Sequence, residues 1–390
     1  MTKSTQFNII QLFYFSAYCI MFSFASVFFK AYGYTDFQIG QLAAISSLVV
    51  IVAQPIFGVF ADRVLSVKTL IIINLVISAC VTGLVYLFKS NFIMLFICYA
   101  LISFSEKSLT SLIDSWISIE VRYDASINYG LSRGFGSLGF ALSSVIGGVI
   151  SEKAGFGTLF ILHAAFLLVA TIVTSITPMF FQRSNPIAKI EKQPKSVKLY
   201  KNWEYIRIVA VATILFLGVS VEVTYFPVIF QLSGGTNSQL GVALFIMSLS
   251  ELVAMASYKK INNLINTQSL MLIALVFYTF KLFFQIFLNN VLLLVMLQLM
   301  QGVTYGLFLP SFVELVRECC NENNTSTAIT VGFAVFNGIG SVIGNFIAGI
   351  ISEQFGLRYA FAVASLLCFC SIIFYCFRPI NITSLKKQYM

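Results

Sequence analysis

The sequence predicts an all-α membrane protein, twelve transmembrane helices in two six-helix bundles related by a pseudo-twofold axis. Three observations carry this. Of the 390 residues, 58% are hydrophobic and 10% charged, more apolar surface than one soluble core of that length can hide. Apolar stretches of about 20 residues, the length a hydrocarbon core demands of a helix, recur from one end to the other. Finally, two widely separated segments repeat at one fixed offset.

The spans fall at roughly 7–30, 38–61, 68–88, 91–118, 128–150, 157–181, 204–229, 237–257, 267–288, 291–315, 327–350 and 358–377, by length and apolar content. The first is too long for a secretory apolar core and lacks a small-residue cleavage site, so it reads as a retained helix. The longest polar stretch, roughly 182 to 203, is too short for a soluble catalytic or DNA-binding domain. The organisation expected is a six-helix bundle over 1–182, a basic cytoplasmic linker over 183–203 and a second bundle over 204–390. Pro227 and Pro310 are placed to kink spans seven and ten.

The net charge of +9 follows topology rather than nucleic acid. With both termini on one side, that side collects 16 Lys and Arg, among them Lys3, Arg63, Lys68, Arg122, Lys189, Lys201, Lys259 and Arg317. The other side has four, Lys30, Lys89, Lys153 and Arg358. Basic residues stay inside, so the termini are expected in the cytoplasm and the chain in the cell (plasma) membrane. The eight cysteines lie in apolar spans or at a helix end, and none has a histidine at metal-ligand spacing. Neither a disulfide framework nor a metal is expected, and no cofactor.

The repeat is a matter of register. Thr35-Asp36-Phe37-Gln38-Ile39-Gly40 reads against Thr236-Asn237-Ser238-Gln239-Leu240-Gly241, an offset of 201. Gly148-Val149-Ile150-Ser151-Glu152 reads against Gly349-Ile350-Ile351-Ser352-Glu353 at the same offset, as do Gly139 against Gly340 and Gly155 against Gly356. Six helices per copy return the chain to its starting side, so the copies are parallel. Repeats of this kind put a solute site at their interface and work by rocking one half against the other.

Seven ionisable residues lie well inside the spans: Glu106, Lys107, Asp114, Arg133, Glu222, Glu251 and Lys281. A charge at mid-membrane costs about 2.5–3.5 kcal/mol on insertion scales, so such residues pair or face water, and they mark solute and ion pathways. Lys107, Ser111, Asp114 and Ser118 form one helical stripe on span four. On span five, Arg133, Gly136 and Phe140 share a face, a guanidinium and a ring over a small-residue gap. The Arg133 fork suits a pair of hydroxyls or a carboxylate, and Asp114 is placed to hold it. A purely structural ion pair would show the same two residues. Glu251 and Glu222 are the candidates for carrying a proton, with Lys281 as a competing cation. Glu106 can pair locally with Lys107, and His163, the single histidine, reads as structural. Gly130-x-x-x-Gly134 and Gly340-x-x-x-Gly344 are spaced for tight helix crossing.

Between spans two and three, Gly58-Val59-Phe60-Ala61-Asp62-Arg63, followed by Lys68, resembles the Gly-x-x-x-Asp-Arg-x-Gly-x-Lys/Arg signature of the major facilitator superfamily, with Leu65 at the second glycine position. The resemblance implies a cytoplasmic latch made by Gly58, Asp62 and Arg63. Gln54-Pro55-Ile56-Phe57-Gly58, the span-five stretch from Tyr129 to Leu142, Glu251 and Lys281 resemble the lactose-permease branch, which includes oligosaccharide–proton symporters and phenylpropionate-transporter-like proteins. By that resemblance Arg133 is a sugar-binding arginine, Phe140 replaces a stacking tryptophan, Glu251 accepts sugar hydroxyls, and Lys281 falls where the branch has an arginine. The branch's span-ten histidine is replaced by Gln301 and its proton-releasing glutamate by Thr304, which leaves open whether transport is coupled.

The expected function is proton-coupled symport of a small polar solute by alternating access, a sugar or oligosaccharide first. The partners are that solute, protons and the lipid bilayer, with no nucleic acid and no required oligomer. Aromatic acid or nucleoside uptake, multidrug efflux and, outside transport, a membrane sensor are the alternatives. No nucleophile–base set or nucleotide-binding loop appears, so an enzyme is not expected.

Overall fold

The computed structural model describes residues 2–124, 126–179, 202–320 and 322–377; the basic linker and the residues beyond Phe377 lie outside them. Twelve helices are long and apolar enough to cross a membrane. They are α1 (Lys3–Ala31), α2 (Asp36–Ala61), α3 (Val67–Leu87), α4 (Phe92–Glu120), α5 (Tyr129–Ala154), α6 (Phe156–Ile176), α7 (Trp203–Leu232), α8 (Asn237–Asn262), α9 (Thr267–Phe287), α10 (Val291–Cys319), α11 (Thr327–Phe355) and α12 (Leu357–Cys376). Among the described residues there is no strand.

Local chemistry sets the ends. Side-chain oxygens of Thr2, Ser66, Asn91, Asn128, Asn266 and Asn290 accept from main-chain N–H groups in the first turns of α1, α3, α4, α5, α9 and α10. Each such cap is worth about 1 kcal/mol. The four glycines at positive φ fall into two pairs at the repeat offset of 201: Gly33 (84°) with Gly234 (86°), and Gly155 (79°) with Gly356 (100°). Each lies at the turn after a helix, where a Cβ would be strained. The two copies therefore share their turns as well as their motifs.

Three spans are irregular inside. A π-turn at Cys19–Ser23 interrupts α1, a 3-10 turn at Gln298–Gln301 interrupts α10, and a π-turn at Ala334–Gly340 interrupts α11. Pro227 and Pro310, placed to kink spans seven and ten, both lie inside continuous helix, away from these interruptions.

The chain divides into two compact units. The first comprises Met1–Thr35, Ile45–Ala188 and Pro227–Leu249, the second Asp36–Ala44, Lys189–Phe226 and Ser250–Met390. In the first, α1 packs on α5 and α6, and α3 on α4 and α6. Its core gathers Phe7, Ile10, Tyr14, Leu109, Ile113, Trp116 and Leu167. A buried ion pair, Lys3 Nζ to Glu120 Oε2 at 2.5 Å, ties α1 to α4, with Trp116 Nε1 donating to the other Glu120 oxygen at 3.2 Å. In the second unit, α9 packs on α10 and α12, and α11 on α12.

The sequence repeat is visible as a repeated contact, one inside each unit. In the first, Glu152 accepts from the Ser238 N–H at 2.8 Å, and a Cβ on Gly148 would lie 2.4 Å from the Asn237 carbonyl oxygen. In the second, Glu353 accepts from the Phe37 N–H at 3.4 Å, and a Cβ on Gly349 would lie 3.2 Å from Phe37 Cα. Glu152, Ser238 and Gly148 are each 201 positions from Glu353, Phe37 and Gly349, respectively. The glycine spacing expected on span five shifts: a Cβ on Gly134 would meet nothing within 4 Å, whereas one on Gly139 would lie 2.2 Å from the Leu12 carbonyl oxygen. Gly340 and Gly344 do lie against α7, at 3.0 Å from the Thr213 and 2.3 Å from the Leu217 carbonyl oxygen.

Candidate functional site

Three charged clusters lie inside the bundles. The first is built on α1, α4 and α5. Arg133 projects from α5 with Nε 4.0 Å from Asp114 Oδ2 on α4, a long contact between side chains 38% and 25% exposed. The guanidinium carbon lies 4.2 Å from the centroid of the Phe15 ring on α1. Gln11, one turn earlier on α1, donates from Nε2 to Asp114 Oδ1 at 2.8 Å. Its own Oε1 is buried and, among the described residues, has no hydrogen-bond partner.

Gly136 makes this stacking possible. A Cβ there would lie 2.7 Å from the Phe15 ring and 3.3 Å from Arg133 Nη1, so a larger residue would push both away. The ring against Arg133 is thus Phe15. Phe140, expected to share that face, is half-buried and packs against the hydrophobic cluster to which Phe15 also belongs. A guanidinium has five donors and one ring face engaged here, and a single long contact to Asp114 leaves most of the fork available.

The second cluster belongs to α7, α9 and α10. Lys281 is fully buried, and its Nζ lies 2.7 Å from Glu222 Oε1, whose side chain is 8% exposed. The same Nζ donates to Gln301 Oε1 at 2.7 Å, and Gln285 Nε2 donates to Glu222 Oε1 at 3.0 Å. The glutamine standing in the branch's histidine position is therefore an acceptor for Lys281. Glu251 is half-buried on α8, and its carbonyl oxygen lies 3.3 Å from where a Cβ on Gly306 would be.

The third cluster joins α3, α4 and α6. Glu106 and His163 are fully buried, with His163 Nε2 at 3.0 and 3.2 Å from the two Glu106 oxygens and Nδ1 at 2.8 Å from Thr82 Oγ1. The partner of Glu106 is His163, not the adjacent Lys107, whose ammonium lies 4.6 Å from the Phe22 ring centroid.

The expected latch is described in part. A Cβ on Gly58 would meet nothing within 4 Å, so no close helix approach is made there. Arg63 is exposed, and the Asp62 side chain is outside the described residues. Lys68 caps the end of α6, where its Nζ donates to the carbonyl oxygens of Ser175 and Thr177 at 2.8 Å each.

The model of the MFS_1 like family matches residues 5–363. The chain belongs to that family. It is a major facilitator superfamily transporter, a multi-pass membrane protein of small solutes and not an enzyme. It is 24% identical over 363 residues to the maltose permease of Geobacillus stearothermophilus, spanning 92% of this chain and 91% of that one. It is 25% identical over 335 residues to the uncharacterized transporter YwbF of Bacillus subtilis (strain 168), spanning 84% and 82%. Among solved structures, the nucleoside transporter NupG superposes with a TM-score of 0.82 at 16% identity, over 97% of this chain and all of that one. A bacterial homologue of the human lysosomal transporter Spinster gives a TM-score of 0.75 at 14% identity, over 99% and 97%. These structural likenesses establish the twelve-helix major facilitator fold.

Gln11, Phe15, Gln285 and the Glu106–His163 pairing are parts of these clusters that sequence reasoning missed. For Gln11 a signal existed: with Gln6 and Asn8 it is one of three amides in the first span. Nothing distinguished Phe15 among 40 phenylalanines.

Proposed function

We propose that this facilitator imports a sugar or oligosaccharide by proton-coupled symport, working by alternating access, with Arg133 as the principal solute contact. One observation supports it most: the half-exposed Arg133 guanidinium, backed by Phe15 and only loosely held by Asp114. Around it stand the unpartnered Gln11 oxygen and the Asp114 carboxylate. A donor fork beside acceptors and next to a ring matches a neutral polyhydroxy ring, which offers a hydroxyl to each. The similarity to a maltose permease along nearly the whole chain supports the same solute class.

Within this reading Asp114 orients Arg133 and meets solute. Phe140, Glu251 and Lys281 are further contacts on the C-terminal and span-five faces. Glu251 and Glu222 are proton carriers of the second bundle, and Gly58, Asp62 and Arg63 form the cytoplasmic latch. The two bundles are 1–182 and 204–390, joined by the basic 183–203 linker, with both termini cytoplasmic and the protein in the plasma membrane.

Nucleoside uptake is the second reading. The Phe15–Arg133 stack favours it, since a base can lie against such a surface as a sugar can. Purified protein in liposomes, offered labelled maltose and labelled uridine with and without an inward proton gradient, separates the readings. Maltose accumulation that depends on the gradient is expected. Accumulation indifferent to the gradient removes proton coupling, and uptake of uridine alone moves the solute class to nucleosides.

A further inference from the structure

The hydrogen bonds of the third cluster can be assigned by counting protons. Thr82 Oγ1 has one hydrogen and two acceptors within reach, the Ser78 carbonyl oxygen at 2.7 Å and His163 Nδ1 at 2.8 Å. With that hydrogen on Ser78, the shorter contact, the oxygen accepts from Nδ1, which then carries a proton. The other nitrogen, Nε2, faces both oxygens of Glu106 at 3.0 and 3.2 Å. A bare nitrogen lone pair against a buried carboxylate at that distance would be repulsive and unpaired. A proton therefore lies between them, and Glu106 and His163 together hold one more than a neutral imidazole with an ionised carboxylate would.

The surroundings allow that proton to leave. The titratable groups facing Glu106 are Tyr14 and Tyr18 from α1, Tyr99 and Lys107 on its own helix, and His163 from α6. Lys107 interacts electrostatically with Glu106 and is the one lysine among them, so its ammonium form can balance the carboxylate once the proton has gone. His163 also lines a narrow, mostly apolar cavity walled by Phe28, Phe29, Tyr99 and Phe160. On the other side, α1 and α4 carry hydrogen bonds beside both clusters. Tyr14 donates to the Glu106 carbonyl oxygen at 2.9 Å and lies 2.6 Å from Thr110 Oγ1. On the same two helices, Gln11 bonds Asp114. Glu106 and Asp114 are eight residues apart on α4, about 12 Å at the helical rise.

We propose that Glu106, His163 and Thr82 form a proton-binding site within the first unit, which takes up and releases the proton that accompanies solute. The assignment of its proton stands on geometry alone; its coupling role rests on the symport reading above. The chemistry is a plain transfer. Water delivers a proton to the His163–Glu106 pair and later receives it back, with Lys107 as counter-ion and no bond to carbon formed or broken.

The test has two parts, on the full chain purified without a histidine tag. First, Glu106→Gln and His163→Asn are reconstituted, and labelled maltose is followed in gradient-driven accumulation and in counterflow at equal pH. Accumulation is expected to fall about tenfold or more while counterflow stays within about twofold of the unsubstituted protein, a split that a packing defect would not give. Variants that accumulate normally, or that lose counterflow along with accumulation, overturn the coupling role. Second, the chain has one histidine, so a histidine-selective 15N spectrum of the unsubstituted protein reports His163 alone. With the infrared band of Glu106, identified by its loss in Glu106→Gln, it counts the protons directly. A protonated Nδ1 and a second proton on either Nε2 or the carboxyl are expected. A neutral imidazole beside an ionised Glu106 overturns the site, whatever the variants do. If the unsubstituted protein ignores the gradient, the symport reading and the coupling role fall while the spectrum still decides the site, so the two failures are distinguishable.

Discussion

Arg133–Asp114 and Lys281–Glu222 are both ion pairs inside apolar helices, yet they are built for opposite ends. The first is 4.0 Å long, 38% and 25% exposed, and borders an amide oxygen with no partner. The second is 2.7 Å long, has a fully buried lysine, and is braced by two glutamines. A short, buried pair yields little to a ligand without breaking, and breaking it strands a charge, although it too borders an amide oxygen without a partner, that of Gln285. A loose pair costs less to open and leaves capacity unused. On the reading proposed above, Arg133 meets solute directly, whereas Lys281 and Glu222 must part before either can serve solute or proton.

The sharpest way to break that contrast is to treat the sealed pair as if it were the open one. Lys281→Met leaves Glu222 without its cation and is expected to cost about 3–5 kcal/mol, enough to abolish a monodisperse protein in detergent. Adding Glu222→Leu to it should restore most of the lost thermal stability, because no lone charge is then buried. A single Lys281→Met that is as stable as the parent would mean the pair is not structural.

Arg133 should behave in the reverse manner. Arg133→Ala is expected to weaken solute binding by about 2 kcal/mol, roughly thirtyfold, while the melting temperature in detergent stays close to the parent's. Arg133→Lys should recover little, since a point charge replaces a planar stacked fork. Binding by tryptophan fluorescence or calorimetry, with melting measured alongside, decides between a ligand contact and a brace.

The repeat offers a finer comparison. Gly148→Ala would place a methyl 2.4 Å from a backbone oxygen, whereas Gly349→Ala would meet its nearest atom at 3.2 Å. The first is expected to destabilise by about 1–3 kcal/mol and the second by less, although the two positions are equivalent in sequence. Equal losses would mean that the helices can shift to absorb the clash.

The smallest effect expected is at Phe15. Replacing it with leucine keeps apolar volume but removes the ring face under the guanidinium, worth about 0.5–1 kcal/mol, or a few-fold in affinity. A loss as large as that of Arg133→Ala would mean that the ring itself contacts solute.

How much of this was legible beforehand depended on whether a feature left a periodic or a chemical trace. The twelve spans did, since each must satisfy its own backbone within a fixed thickness of hydrocarbon. So did the offset of 201, which reappears in matched glycine turns and in the Glu152 and Glu353 contacts. Arg133 and Asp114 could be paired because both are rare in apolar helices. The pairing of Glu106 could not be read so easily: its neighbour Lys107 is adjacent in sequence, while His163 is 57 residues away on another helix. Adjacent residues on a helix point in different directions, which is why the nearer candidate lost. The interruptions of α1, α10 and α11 had no proline to announce them, and the prolines that were present sit in helix that continues.

The distance along the chain between α1 and α4 has a consequence for how the protein is made. Gln11 meets Asp114 only at a separation of 103 positions, and Lys3 meets Glu120 at one of 117. At ribosomal speeds of about 5–20 residues per second, the first helix enters the lipid several seconds or more before its ionic and amide partners have been synthesised. During that interval Lys3 must stay at the headgroups and Gln11 must find water or the wall of the insertion machinery. Mutations that make α1 more apolar should therefore ease biogenesis while removing from the mature protein the groups that brace Asp114 and Glu120.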